Sequence, residues 1–226
     1  MVFWIACVIG LAIVYLFGSL PTGYLAGRLL KGIDIRQHGS NSVGATNVLR
    51  TLGKWPAIIV LVVDVMKGAG AVFFAKWFYS GFPSLLTISP PATFGTQDWV
   101  AWAVSLAGLA ALVGHSRSVW LGFAGGKSAA TGLGVLLALS WPVGLGAAMV
   151  FVLVIAVFRI VSLGSMLAAL AAVALIFGME QPLPFRLLVL AGSIYVLARH
   201  RANIQRLLAG TEPHLGQSRP ASKMEG

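Results

Sequence analysis

The sequence predicts an all-α integral membrane protein of about seven transmembrane helices. Its N-terminus is expected outside, its C-terminus in the cytoplasm and its motif loops on the cytoplasmic face. Three observations carry this. The 226 residues are 58% hydrophobic and 10% charged, with a mean hydropathy of +0.89, whereas soluble domains carry roughly 25% charged residues. Several apolar runs approach the ~20 residues a helix needs to cross the hydrocarbon core. Finally, alternate loops collect thirteen Lys and Arg on one side and only Arg186 on the other, the asymmetry of cytoplasmic loops. The formal charge of +10 is thereby explained by the membrane, and no nucleic-acid partner is expected.

In chain order, residues 2–25 form the first expected span. It has no basic n-region, its first cation being Arg28, so it reads as a retained helix rather than a signal peptide. A basic loop over 28–54 follows, with Asp34 its only acid. Further spans are expected over 55–79, 98–114, 128–140, 143–158, 165–179 and 187–198. The segment 80–97 has no Lys or Arg and is rich in Pro, Gly and Thr, as an outside loop should be. The span over 128–140 is short, and the Gly-Gly-Lys-Ser before it predicts a helix start at membrane depth beside a polar cavity. Residues 1–212 read as a single polytopic domain and 213–226 as a disordered tail. Cys7 is the one cysteine, so neither a disulfide within the chain nor a Cys-based metal site is expected.

Three polar clusters fall on the basic side. The first is the loop over 39–50, where Gly39, Ser40, Asn41, Ser42, Gly44, Thr46, Asn47 and Arg50 stand without a carboxylate. Glycines and short polar residues permit turns whose successive N–H groups converge on an anion, and a helix N-terminus at Val48 would add more. A plain polar connection between two spans is the alternative. The second cluster holds His115 and then Gly125-Gly126-Lys127-Ser128, again a cation and flexible donors before an apolar helix; a tight inter-helix turn is its bland explanation. In the third, His200, Asn203 and Arg206 are spaced by three and share a helix face, a donor stripe suited to phosphate, or else the basic anchor of a helix end. Glu212 is expected to tie down Arg206 or loop amides. Within the second span Asp64 and Lys67 are expected to neutralise one another, with Gly68 and Gly70 admitting a neighbouring helix.

These clusters, in this order, resemble the bacterial acyl-phosphate-dependent glycerol-3-phosphate acyltransferase (PlsY) family. The residues carrying the resemblance are His38-Gly39-Ser40 with 44–50, Asp64 with Lys67-Gly68, Gly114-His115 with 125–127 and Ala130-Thr131, Arg159 with Ser162, and His200-Arg201 with Asn203-Ile204, Arg206, Gly210 and Glu212. Asn41-Ser42 replaces a usual Gly-Asn, Ser118 a Pro, Ala124 a Lys and Ser128 a Gly. The resemblance implies acyl transfer from acyl phosphate to the 1-hydroxyl of glycerol 3-phosphate, giving lysophosphatidic acid and phosphate in bacterial phospholipid synthesis. It implies a multi-pass protein of the bacterial plasma (inner) membrane, with no cofactor, no metal and no obligatory protein partner. The catalytic residues it implies are Ser40, Arg50, Lys127, His200 and Asn203. Substrate would be bound by Gly39, Asn41, Ser42, Gly44, Thr46, Asn47, His115, Gly125, Gly126, Ser162 and Arg206, with Asp64, Lys67 and Glu212 as structural support.

The rival function is a transporter or exchanger of phosphorylated metabolites. Such proteins place sites at the midplane between repeats, and this sequence shows neither an internal repeat nor midplane motifs.

Overall fold

Residues 2–85 and 96–217 are described by the structure, a computed structural model. They form α1 (Val2–Ser19), α2 (Thr22–Lys31), α3 (Ala45–Leu52), α4 (Lys54–Leu85), α5 (Thr96–Ser116), α6 (Ala129–Leu139), α7 (Trp141–Phe158), α8 (Val161–Gly178), α9 (Leu183–Arg199) and α10 (Arg201–Leu208). The outer faces are apolar: Val8 is 65%, Val152 61% and Val157 73% exposed. Large aliphatic side chains are turned outward on helix after helix, which fits hydrocarbon as solvent rather than water.

Among the described residues five segments are long and apolar enough to cross a membrane: α1 with α2, α4, α5, α7 and α8. The pair α9 and α10, bent by 59°, makes a sixth if taken as one span. The remaining expected crossing, over 128–140, is α6, whose 11 residues reach only ~16 Å, about half the hydrocarbon thickness. Lys76 of α4 donates to the carbonyl of Ala138 at 2.9 Å, supplying a partner for one of the orphan carbonyls that end this short helix. Most of the expected outside loop, residues 86–95, lies outside the described residues; α4 itself runs on past Tyr79 to Leu85.

Small residues set the helix spacing. A Cβ on Gly68 would strike the backbone of Thr131, and one on Gly134 the backbone of Val65, so α4 and α6 touch backbone to backbone. A Cβ on Gly70 would meet the ring edge of Phe17 at 3.2 Å, admitting α1 on another side. At one end of the bundle Phe3, Tyr79 and Trp99 pack edge to face. The polar motifs gather at the other end.

That polar end is tied together where Pro21 separates α1 from α2. The Leu20 carbonyl accepts from Lys67 at 2.7 Å and the Ser19 carbonyl from Ser118 at 2.6 Å. Asp64 pairs with Lys67 at 2.7 Å and accepts from Thr22 at 2.6 Å, while His115 Nδ1 lies 3.5 Å from the Lys67 ammonium. The expected pair is thus present and fully buried, and its hydrogen bonds serve the carbonyl freed where the helix is interrupted. Removing one partner of such a pair typically costs ~3–5 kcal/mol by stranding the other charge.

Candidate active site

The first cluster folds around Asn47. Its buried amide donates to the carbonyls of Ile35, His38 and Ser42 at 2.9, 3.0 and 2.7 Å, and its oxygen accepts from the Ser40 N–H at 2.8 Å. The Asn41 N–H goes to the His38 carbonyl and the Gly44 N–H to the Ser42 hydroxyl. The N–H groups of Ser40, Asn41 and Gly44 are thus taken up by Asn47 and the loop itself and do not converge on an anion as the sequence suggests. What faces the cavity instead is the start of α3, with Gly44, Ala45 and Thr46, together with Ser40, Ser42 and Arg50. The first N–H groups of α3 have no intrahelical acceptor.

Two conformations explain residues in this loop. Gly39 has φ 59° and Asn41 φ 56°, and Asn is among the few side chains that tolerate the left-handed region. A Cβ on Gly39 would run into the Asn47 side chain. Asp34, the loop's one acid, accepts from the Arg36 guanidinium at 2.7 Å. That hydrogen bond lowers its pKa to about 2. It is therefore neutralised locally.

The second cluster is built on His115. Its carbonyl accepts from the Gly126 N–H at 3.1 Å, and a Cβ on Gly126 would strike its imidazole, one on Gly125 its backbone. The two glycines let the loop lie flat over the ring and present Lys127. Ser128 caps α6 at φ 62°, where the family pattern has glycine, and its hydroxyl donates to the Leu112 carbonyl at 2.6 Å. Arg199, in the last turn of α9, reaches the carbonyls of Gly126 and Ser116 at 3.3 and 3.5 Å. Nothing local in the sequence signals that clamp.

The third cluster converges on Glu212. The carboxylate accepts from Ser162 at 2.7 Å, from Asn203 at 2.6 Å and from Arg206 at 2.6 Å. Burial alone would raise its pKa; these donors outweigh it, and the net shift is downward. Glu212 therefore stays an anion that orients donors. A carboxylate only accepts, so the Asn203 NH₂ is directed at it. The buried Asn203 oxygen, without a partner among the described residues, is left to accept. His200 Nδ1 lies 2.8 Å from the Val196 carbonyl, which fixes the proton on Nδ1 and leaves Nε2 of the neutral ring as an acceptor. Arg201, off this stripe, is exposed.

The segment after Glu212 is strapped down rather than loose. Pro213 lines the cavity, the Leu215 N–H donates to the Arg159 carbonyl at 2.6 Å, and His214 Nδ1 lies 3.1 Å from the Phe158 carbonyl. Hydrogen bonds to the Phe158 and Arg159 carbonyls thus hold the chain beyond the boundary expected at residue 213, as far as Leu215. Residues 218–226 lie outside the described residues.

One cavity of about 220 Å³ joins all three clusters: Ser40 and Arg50, His115 and Lys127, and Ser162, His200, Asn203 and Arg206 all line it. Gly39, Asn41, Gly125 and Gly126 shape its rim without lining it. Burial lowers the Lys127 pKa to about 8; Glu212 opposes this, and the charges of Arg206, Arg50 and Arg199 reinforce it. Cations from all three clusters therefore act within one field. Below about 8 Lys127 is a cation; above it the charge is lost. If that charge binds substrate, kcat/KM should fall as pH rises through about 8, since this ratio reports the free enzyme. A ratio that holds level far into the alkaline range would contradict this.

Among the described residues no three His, Cys, Asp or Glu side chains gather as a metal site.

Known proteins match this chain over most of its length. The model of the glycerol-3-phosphate acyltransferase family matches residues 8–210. A glycerol-3-phosphate acyltransferase 2 of Rhizobium johnstonii is 70% identical over 217 residues, covering 96% of this chain and 99% of its own. A glycerol-3-phosphate acyltransferase of Acaryochloris marina is 54% identical over 223 residues, covering 98% of each. Two solved structures of PlsY (YgiH), an integral membrane glycerol 3-phosphate acyltransferase, also match at 33% identity. The glycerol 3-phosphate form has a TM-score of 0.78 and covers 93% of this chain and 96% of its own. The lysophosphatidic acid form has 0.75, with 92% and 94% covered. With its clusters on one cavity and its whole length matched, this chain belongs to the glycerol-3-phosphate acyltransferase family.

Proposed function

We propose that this chain transfers an acyl group from acyl phosphate to the 1-hydroxyl of glycerol 3-phosphate, releasing lysophosphatidic acid and phosphate. The observation that carries this reading is the single cavity in which cations of three sequence clusters meet. Two phosphate dianions ~7 Å apart repel by ~9 kcal/mol at an effective dielectric near 20, so a site uniting both substrates must be strongly cationic. The relatives' names and the glycerol 3-phosphate and lysophosphatidic acid forms of the matched structures support the same pair of substrate and product.

In this reading Ser40, Thr46 and the α3 N-terminus hold the acyl-phosphate head, and Arg50, Lys127 and Arg206 neutralise the two phosphates. The Asn203 oxygen accepts a hydrogen bond from the attacking 1-hydroxyl and orients it, and His200 Nε2 accepts from the neighbouring 2-hydroxyl. The glycerol oxygen bonds to the acyl carbon, the carbon–oxygen bond to phosphate breaks, and the hydroxyl proton passes to the departing phosphate. Acyl phosphate carries its own leaving group, so positioning and charge stabilisation are the enzyme's main contributions. The segment to Glu212 acts as one polytopic domain in the bacterial plasma membrane. The basic loops and the site face the cytoplasm, as the sorting of Lys and Arg supports.

The donor is tested by giving purified protein and glycerol 3-phosphate either palmitoyl phosphate or palmitoyl-CoA. Product from the acyl phosphate alone is expected; product from the thioester alone would overturn the assignment. EDTA should leave the rate unchanged, since the chemistry is assigned wholly to side chains. A loss restored by a divalent cation would contradict that.

A further inference from the structure

Below its cationic mouth the cavity continues as an apolar shaft between α6, α7, α8 and α9. Its lining can be followed down three helices. Along α7 the lining runs from Phe151 through Ala148 to Ala147, along α8 from Ser165 through Ala168 and Ala169 to Ala172, and along α9 from Val196 through Gly192 to Val189. The two serines on these walls are satisfied within them: Ser165 donates to the Val161 carbonyl and Ser193 to the Ala169 carbonyl, both at 3.0 Å. The shaft is therefore an apolar surface suited to methylene groups.

It ends abruptly. Ala147, Ala172 and Val189 pack in one cluster with Val143 and Ile176, both fully buried. Val143 lies one turn beyond Ala147 on α7 and Ile176 one turn beyond Ala172 on α8, so the small lining residues give way on both helices at the same depth to bulky ones. Ser162 and Ala172 lie ~15 Å apart along α8, a depth on the scale of a fatty acyl chain.

We propose that Ala147, Ala172 and Val189, backed by Val143 and Ile176, form a floor that sets the longest acyl chain this protein transfers. The inference rests on the acyl transfer proposed above and names the specificity element within it. A chain whose terminal methyl reaches Ala172 fills the shaft. A longer one must buckle or withdraw its reacting carbon from the site, and a shorter one leaves burial unused.

The test compares octanoyl, palmitoyl and arachidoyl phosphate as donors. Ala172→Phe raises the floor: kcat/KM for palmitoyl phosphate should fall ~10²-fold while octanoyl phosphate keeps most of its rate, the scale on which pockets discriminate apolar length. Ala168→Phe, one turn nearer the mouth, should cut off still shorter chains. Ile176→Ala removes bulk instead and should raise arachidoyl relative to palmitoyl transfer, giving a reading in the opposite direction that no folding defect imitates. Equal changes across all three donors in these variants would overturn the floor. Failure of the unmodified protein to use any acyl phosphate would instead overturn the underlying reaction.

Discussion

Arg50→Ala and Lys127→Ala should each lower acyl transfer by ~10²-fold or more while the protein still folds and inserts. The two residues come from different clusters, yet both line one cavity and each feels the other's charge. Each removes a cation from a site that must hold two phosphates, and charge-assisted bonds to phosphate are the strong ones. Lys127 makes no ion pair among the described residues, so its loss strands no carboxylate. Its depressed pKa reflects burial that penalises its charge, a penalty that a bound phosphate would relieve. The fold should therefore tolerate Lys127→Ala far better than loss of Lys67, whose ammonium is bonded to Asp64 and the Leu20 carbonyl. Near-normal turnover in both variants, assayed at matched expression in membranes, would contradict a shared site.

Asn203→Ala should cost ~10²–10³ in turnover, with Arg201→Lys close to normal. Asn203 does two things at once: its NH₂ holds the Glu212 carboxylate, and its buried oxygen has no partner among the described residues. Truncation removes the proposed acceptor for the attacking hydroxyl and loosens the carboxylate that also fixes Ser162 and Arg206. Arg201 carries a charge on the same short helix but points away from the cavity. If α10 were only a basic membrane anchor, the order of sensitivity would reverse. A mild Asn203→Ala beside a severe Arg201→Lys would show that the other face of this helix meets the substrate.

Much of this site is legible in the sequence because its rules are local. The three-residue spacing of His200, Asn203 and Arg206 places them on one face of a helix, where they stand. The i, i+3 spacing of Asp64 and Lys67 delivers a pair, and intramembrane charges have little choice but to find one. Gly68 foretells the close approach of a helix, though not that the helix is α6. What the sequence hides is long-range. Ser162 and Glu212 are 50 residues apart and meet at 2.7 Å, and Arg199 clamps Gly126 from another helix; no periodicity encodes either. The inward turn of the loop amides is hidden too: Asn47, expected to bind substrate, takes the Ser40 N–H and ties its own NH₂ to carbonyls of the loop. The sequence marks α6 as a short crossing but not what accommodates it: Lys76 under its C-terminal end and the backbone contact with α4 serve its eleven residues.

The most direct test is to supply purified protein in detergent with palmitoyl phosphate and glycerol 3-phosphate and to count both products. Acyl transfer predicts lysophosphatidic acid and inorganic phosphate in equal amounts, with neither formed quickly when glycerol 3-phosphate is omitted. Phosphate released without lysophosphatidic acid would mean hydrolysis. Neither product, with glycerol 3-phosphate instead exchanged across vesicles containing the protein, would make it a transporter and contradict the account.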